Sequence, residues 1–131
     1  MLHISIASFG YHRSGPPHDP GGNGGGFVFD CRFLPNPGRE AAYRHLNGLD
    51  PEVQAYLEAL PETGVLLQHA LALIEQAARQ YRTVGYTHLH VAFGCTGGQH
   101  RSVYCSEQAA RMLRDAGYSV SVLHTETEHW P

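Results

Sequence analysis

The sequence predicts a single α/β domain, layered, with a mostly parallel sheet flanked by helices. Three observations support this fold class. The chain has 131 residues, near the commonest domain size, and we expect residues 1–131 to form one domain. Short alternating segments are separated by longer amphipathic ones, which is typical of strands connected by helices. The last three segments, within 87–124, follow strand–helix–strand order, and that order favours a parallel pair of strands.

Alternating apolar and polar side chains predict four strands. They are HISIASFG (3–10), FVFDCRFL (27–34), THLHVAFG (87–94) and YSVSVLH (118–124). Between the first two lies the stretch 12–26, which is too rich in glycine and proline for regular structure. We expect it to be a flexible loop.

Apolar residues three or four positions apart predict three helices. The segments lie between Pro51 and Pro61, between Thr63 and Gly85, and from 102 to 116. Asp50 and Pro51 supply an N-cap and a proline at the first helical position. Gly85 and Gly117 follow the second and third segments and are the expected terminators.

Charge and hydropathy exclude several classes of protein. The formal net charge of −3 gives no field that would attract nucleic acid or an anionic membrane. No apolar run approaches the roughly 18 residues of a membrane span, and MLHISIASFG lacks the basic start of a signal peptide. The three cysteines form no Cys-x-x-Cys pair, so reduced thiols are expected. We therefore expect a cytoplasmic protein that does not associate with membranes.

The segment FGCTGGQHRS (93–102) is the strongest candidate site, because it joins a predicted strand to a predicted helix. Ligands of α/β folds bind at that edge of the sheet. The glycine pair lets the backbone turn and approach a ligand, and the free amides of the helix start favour an anion. Arginine can clamp phosphate through two hydrogen bonds. The candidate ligand-binding residues are Thr96, Gly97, Gly98, Gln99, His100, Arg101 and Ser102.

Two other interpretations of this segment stay open. One is a tight turn in which Arg101 is merely solvated. The other is a cysteine-dependent phosphatase, since Cys95, five residues, Arg101 and then serine is the spacing of that catalytic loop. Cys95 would be the catalytic nucleophile, and Asp19 or Asp30 the general acid. Cys95 could equally be a small buried residue that ends a strand.

Three blocks in this order, FDCRFLPNP, NGLDPEV and GCTGGQHRSVY, resemble the C-terminal domain of the bacterial RNase adapter family RapZ, also called YvcJ-like. The resemblance extends from SFGY at 8–11 through the last strand. Without the kinase-like N-terminal half of that family, the sequence is expected to be a stand-alone version of the C-terminal domain. The resemblance implies an α/β domain with an anion pocket that senses a phosphorylated amino sugar or a nucleotide sugar. It also implies binding of small RNA for presentation to an endonuclease.

By this resemblance, the ligand-pocket roles fall on Thr96, Gly97, His100 and Arg101. Asp30 and Arg32, in FDCRFLPNP, are expected beside the pocket. The alternative for this pair is a structural ion pair at the end of a strand. Possible partners are a second copy of the chain or a separate kinase-like protein.

The sequence departs from the family pattern at two places. Gly38 follows PNP, where the family has a histidine that contributes to the pocket, so the identity of the ligand is open. The chain ends HTETEHWP instead of in a basic tail, which weakens the case for RNA because RNA affinity comes chiefly from basic residues. Arg44 and the other arginines outside the motif are interpreted as solvated. No cofactor is indicated, and His88 and His90 have no evident third metal ligand.

Overall fold

The computed structural model describes every residue from Met1 to Pro131. Its four strands are β1 (His3–Gly10), β2 (Phe27–Asp30), β3 (His88–Cys95) and β4 (Ser119–His124). Its three α-helices are α1 (Pro51–Glu58), α2 (Pro61–Val84) and α3 (Arg101–Asp115). The strands are all parallel, in the order β2-β3-β1-β4. The predicted α/β layered fold with a parallel sheet is confirmed.

One face of the sheet forms the hydrophobic core. The strand register aligns Ile4 with Leu89 and Val120, so their side chains point to the same face. The two inner residues join apolar side chains of all three helices in a cluster of 21 buried residues. The helices therefore cover only this face. The opposite face carries polar side chains such as Ser5 and His90, which the register also aligns.

Several element boundaries differ from the prediction. β2 ends at Asp30, not at residue 34, because the Asp30 carboxylate accepts a hydrogen bond of 2.9 Å from the Arg32 amide and the chain turns there. α2 begins at Pro61, which tolerates the first helical position because its missing N–H would have no partner there. Gly85 ends α2 with a φ of 85°, as expected for a glycine terminator.

Residues 12–26 contain neither helix nor strand, and no helix of the protein is long and apolar enough to cross a membrane.

The parallel arrangement brings three chain segments to one edge of the sheet. Gly10 pairs with Cys95 at the ends of β1 and β3, and Asp30 pairs with Gly94 at the end of β2. The Cys31 amide continues this ladder with a 2.7 Å hydrogen bond to the Gly94 carbonyl. The predicted anion-binding segment therefore starts in the middle of the sheet, at its carboxyl edge. The residues that follow β2 lie beside it.

Candidate functional site

Residues 95–101, the glycine loop, lie directly on the end of β1. Gly98 has a φ of 72°, which other residues rarely adopt. A Cβ atom at Gly98 would lie 2.5 Å from Cγ of Glu126 and 2.8 Å from the Gly10 amide nitrogen. At Gly97 nothing lies within 4 Å, so that residue faces open space. The two glycines thus do different work: one allows close backbone packing, and the other leaves room for a ligand.

The C-terminal segment supports this loop from behind. The Glu126 side chain is fully buried and accepts hydrogen bonds of 2.9 Å from the Gly10 amide, the Ser14 amide and the Ser14 hydroxyl. Burial alone would raise the pKa of Glu126, but these hydrogen bonds bring it below its ordinary value. Trp130 donates from Nε1 to the Gly98 carbonyl at 3.0 Å. Sequence reasoning missed this role, because Glu126 lies in what reads as a solvated acidic tail.

A cavity of about 190 Å³ opens between the glycine loop and residues 31–48, which we call the facing loop. Its lining residues are Asn36, Gly38, Arg44, Cys95, Thr96, Gly97, Gln99, His100 and Arg101. Most of the candidates named from the sequence therefore meet in one place. Gly98, Ser102, Asp30 and Arg32 do not line the cavity. No carboxylate lines it either, which makes its charge positive.

Arg101 is a buried cation at the edge of the cavity, with only 4% of its surface exposed. Its Nη1 donates to the carbonyls of Arg32 and Leu34, both at 2.9 Å. Its Nη2 has a long contact of 3.4 Å to the Thr96 hydroxyl, and its Nε is buried without any acceptor in the protein. Arg101 therefore fixes the facing loop through one nitrogen and keeps unused donor capacity on the others.

His100 and Gln99 tie the two loops together a second time. His100 Nε2 lies 2.9 Å from the Tyr43 carbonyl, which can only accept, so Nε2 carries the hydrogen and neutral Nδ1 is an acceptor. Gln99 donates from Nε2 to the carbonyls of Arg44 and Leu46, at 3.0 and 2.7 Å. Burial lowers the pKa of His100, although its backbone hydrogen bonds counteract part of that effect. The imidazole is therefore held neutral more strongly than an exposed histidine.

Asn36, Gly38 and Arg44 form the other side of the cavity, and sequence reasoning missed all three as site residues. The Asn36 side chain accepts a 2.9 Å hydrogen bond from the Gly38 amide, which shapes the turn after β2. A Cβ at Gly38 would lie 3.5 Å from His100 Nδ1, so the glycine leaves space beside that nitrogen. Arg44 is exposed, and its guanidinium makes only long contacts of 3.4 Å to backbone carbonyls. It is available to a ligand, and the interpretation of Arg44 as a merely solvated residue was wrong.

Cys95 combines two of the interpretations offered by the sequence. It ends β3 and is only 3% exposed, yet it lines the cavity. Its Sγ lies 3.1 Å from the Ser102 hydroxyl and 3.4 Å from the Ser102 amide. Ser102 is fully buried, so it contacts Cys95 instead of the cavity. All three cysteines of the chain are free thiols.

Asp30 and Arg32 form an ion pair at the rim of the site. Two Arg32 nitrogens contact the Asp30 carboxylate at 2.7 to 3.1 Å, and the guanidinium lies 4.0 Å above the Tyr11 ring. The hydrogen bond from Arg32 lowers the pKa of Asp30, with a smaller contribution from the charge of Arg101. Asp19, the other nominated general acid, lines a different cavity. Neither acid is placed beside Cys95.

Comparison with known proteins assigns the family. The family model for the RapZ C-terminal domain matches residues 2–128. A nucleotide-binding protein of Ruegeria pomeroyi is 43% identical over 128 residues, which is 98% of this chain and 43% of the relative. Nucleotide-binding proteins of Erythrobacter litoralis and Rhodospirillum rubrum are 42% and 39% identical, over 38% and 39% of their own lengths. The chain thus spans about two fifths of these relatives, and it belongs to the RapZ C-terminal domain family.

Proposed function

We propose that this domain binds and senses a phosphorylated metabolite, a sugar phosphate or a nucleotide sugar, in the cavity between the glycine loop and the facing loop. The observation that carries the proposal is the buried guanidinium of Arg101. Its Nε–H has no acceptor in the protein, and a buried donor without a partner is costly. An anion in the cavity would provide the missing acceptor.

The rest of the cavity suits the same ligand. Arg44 supplies a second cation, and the start of α3 adds the partial positive charge of a helix N-terminus. A volume of about 190 Å³ lies below the roughly 300 Å³ at which pockets for drug-sized ligands begin, so the phosphate and only part of the attached group would be enclosed. The names of the relatives, nucleotide-binding proteins, agree with a phosphorylated ligand.

Binding without turnover fits the site better than phosphatase chemistry. Cys95 lines the cavity and contacts Ser102, as a nucleophile would require, but no carboxylic acid lines the cavity to protonate a leaving group. Arg101 also directs Nη1 at two backbone carbonyls, which removes part of the fork that would hold a phosphoryl group. We therefore infer a regulatory role. RNA, a second copy or a kinase-like protein as its partner stays an expectation from the family resemblance.

The proposal is tested by titrating the protein with inorganic phosphate, glucose 6-phosphate and UDP-glucose, with unphosphorylated glucose as the control, and recording amide NMR shifts. We expect saturable shifts in residues 96–101 with the phosphorylated compounds only. Arg44→Ala should weaken this binding, whereas Arg79→Ala, which removes the same charge from the exposed surface of α2, should not. Absence of shifts in the glycine loop with every phosphorylated compound would overturn the proposal.

Cys95→Ser separates binding from catalysis. If Cys95 is only part of the cavity wall, phosphate affinity should change less than about twofold, because serine keeps a polar atom near Ser102. Wild-type protein should release no phosphate from p-nitrophenyl phosphate. Hydrolysis by the purified wild type that disappears in Cys95→Ser would establish the phosphatase instead.

A further inference from the structure

A second cavity lies on the face of the sheet that no helix covers. Its volume is about 190 Å³, and it shares no lining residue with the anion cavity. The lining residues are Pro17, His18, Asp19, Gly24, Gly25, Gly26, Phe27, Val28 and His90. Nothing in the proposed function uses these residues.

His90 is the chemically unexplained residue of this cavity. It is 5% exposed, and its Nδ1 lies 3.1 Å from the Ser5 hydroxyl. Its Nε2 is buried and has no partner in the protein. A buried imidazole nitrogen without a hydrogen bond is costly, so a molecule in the cavity is needed to satisfy it. His88, two residues earlier on the same strand, is exposed and shows no such deficit.

Residues 20–26 form a built wall over His90. The Asp19 carboxylate accepts hydrogen bonds from the amides of Gly21, Asn23 and Gly24, at 2.7, 2.8 and 3.1 Å. Gly26 has a φ of 130°, and a Cβ there would lie 2.1 Å from the His90 carbonyl oxygen, so the wall packs directly on β3. A Cβ at Gly24 would meet nothing within 4 Å. The cavity is therefore shaped on the side of His90 and open on the side of Gly24.

The chemistry of the lining selects among possible occupants. Burial by itself would raise the pKa of Asp19, but the three amide hydrogen bonds and nearby His90 lower it, so the carboxylate is ionised and repels anions. No three histidine, cysteine or acidic side chains in the protein are arranged to hold a metal ion. A hydroxyl group can donate to Asp19 and can pair with His90 Nε2 in either tautomer, because it is both donor and acceptor.

We propose that this second cavity binds a small neutral polyhydroxylated ligand, a monosaccharide or polyol, through hydroxyl groups that contact His90 Nε2 and the Asp19 carboxylate. The volume allows one sugar ring and excludes a whole nucleotide. The site is independent of the anion cavity, so either proposal can fail alone.

The test titrates uniformly ¹⁵N-labelled protein with ribose, glucose and glycerol up to tens of millimolar. Amide and imidazole ¹⁵N signals are recorded, with sodium sulfate as an anionic probe. We expect saturable shifts at Gly25, Gly26 and the His90 ring with at least one neutral compound, and none there with sulfate. His90→Phe, which keeps a flat ring but has no polar atom, should weaken this binding on the order of tenfold. His88→Phe, the matched control on the same strand, should leave it unchanged.

Contacts in the wild type keep the test decisive if His90→Phe does not fold. Intermolecular NOEs from ligand C–H groups to the His90 ring are then the expected result. Two outcomes overturn the proposal: no compound shifts the His90 signals, which means that water alone occupies the cavity, or binding survives unchanged in a folded His90→Phe protein. Shifts at the His90 ring with sulfate would also overturn it, because the lining would then accept an anion.

Discussion

The two walls of the anion cavity differ in how their side chains are used. On the glycine loop, Arg101, His100 and Gln99 direct polar atoms at backbone carbonyls of the facing loop. On the facing loop, Arg44 is exposed and makes only long contacts, and Gly38 has no side chain. One wall thus holds the other in place through its main chain. The shape of the cavity depends on the glycine loop, while the side chains of the facing loop are left to choose the ligand.

Arg101→Ala should produce the largest effect, because it removes the main connection between the walls. The carbonyls of Arg32 and Leu34 would lose a charged donor, and each such hydrogen bond is worth about 2 kcal/mol. We expect the free energy of unfolding to fall by about 4 kcal/mol in urea denaturation. A decrease no larger than that of the surface variant Arg79→Ala would show that Arg101 does not hold the walls together.

Gly98→Ala should come next, with Gly97→Ala as the matched control. The new Cβ at Gly98 would combine a left-handed φ with contacts of 2.5 to 2.9 Å to Glu126, Gly10 and Phe9. We expect a loss of about 2–3 kcal/mol in the free energy of unfolding. Gly97→Ala should change it by less than about 1 kcal/mol, because nothing lies near that position. Equal losses in the two variants would contradict the different roles assigned to the glycines.

Arg44→Ala should separate ligand binding from stability. Sulfate or phosphate affinity should fall on the order of tenfold, as expected for one charge-assisted contact. The free energy of unfolding should stay within about 0.5 kcal/mol of the wild type, since the side chain is exposed and weakly bonded. Calorimetric titration and urea denaturation of the same samples check both halves. A large loss of stability would mean that the facing loop also depends on its own side chains.

Acid should weaken the connection through His100, with the smallest effect of this series. Burial lowers the pKa of His100 in the folded state, so the unfolded chain binds the proton more readily. Stability from this group is therefore complete above the unfolded pKa near 6.5 and is lost as the pH falls toward the lower folded value. His100→Gln can still donate to the Tyr43 carbonyl but does not titrate. Between pH 7.5 and 5.5, we expect its stability to fall less than that of the wild type. Parallel profiles would exclude His100 as the cause.

The predictable part of the molecule is the part whose signal is local. Alternation and helical spacing predicted all four strands and all three helices, and the glycine pair before α3 indicated the anion site. β2 was predicted too long because the turn made by the Asp30 carboxylate is not visible in an apolar segment such as FVFDCRFL. Two parallel neighbours for β3 followed only in part from the sequence, since strand order depends on packing of the whole core.

The unpredicted part of the site depends on contacts between residues distant in the chain. Arg44 meets the glycine loop because Gln99, 55 positions later, binds its carbonyl. Glu126 is buried because amides near residue 10 need an acceptor, and 116 positions separate Glu126 from Gly10. Neither residue has a spacing that signals its role. The facing loop and the C-terminal support therefore needed the three-dimensional structure.

Trp130 gives the glycine loop an optical signature. It is the single tryptophan of the chain, its indole nitrogen donates to the Gly98 carbonyl, and its ring centroid lies 5.8 Å from that of His124. All tryptophan fluorescence therefore originates at the loop that carries the anion cavity. Emission wavelength and quenching report whether the indole stays seated on Gly98 without any added label. Occupancy of the cavity can thus be followed in unmodified protein, in the same cuvette in which it is unfolded.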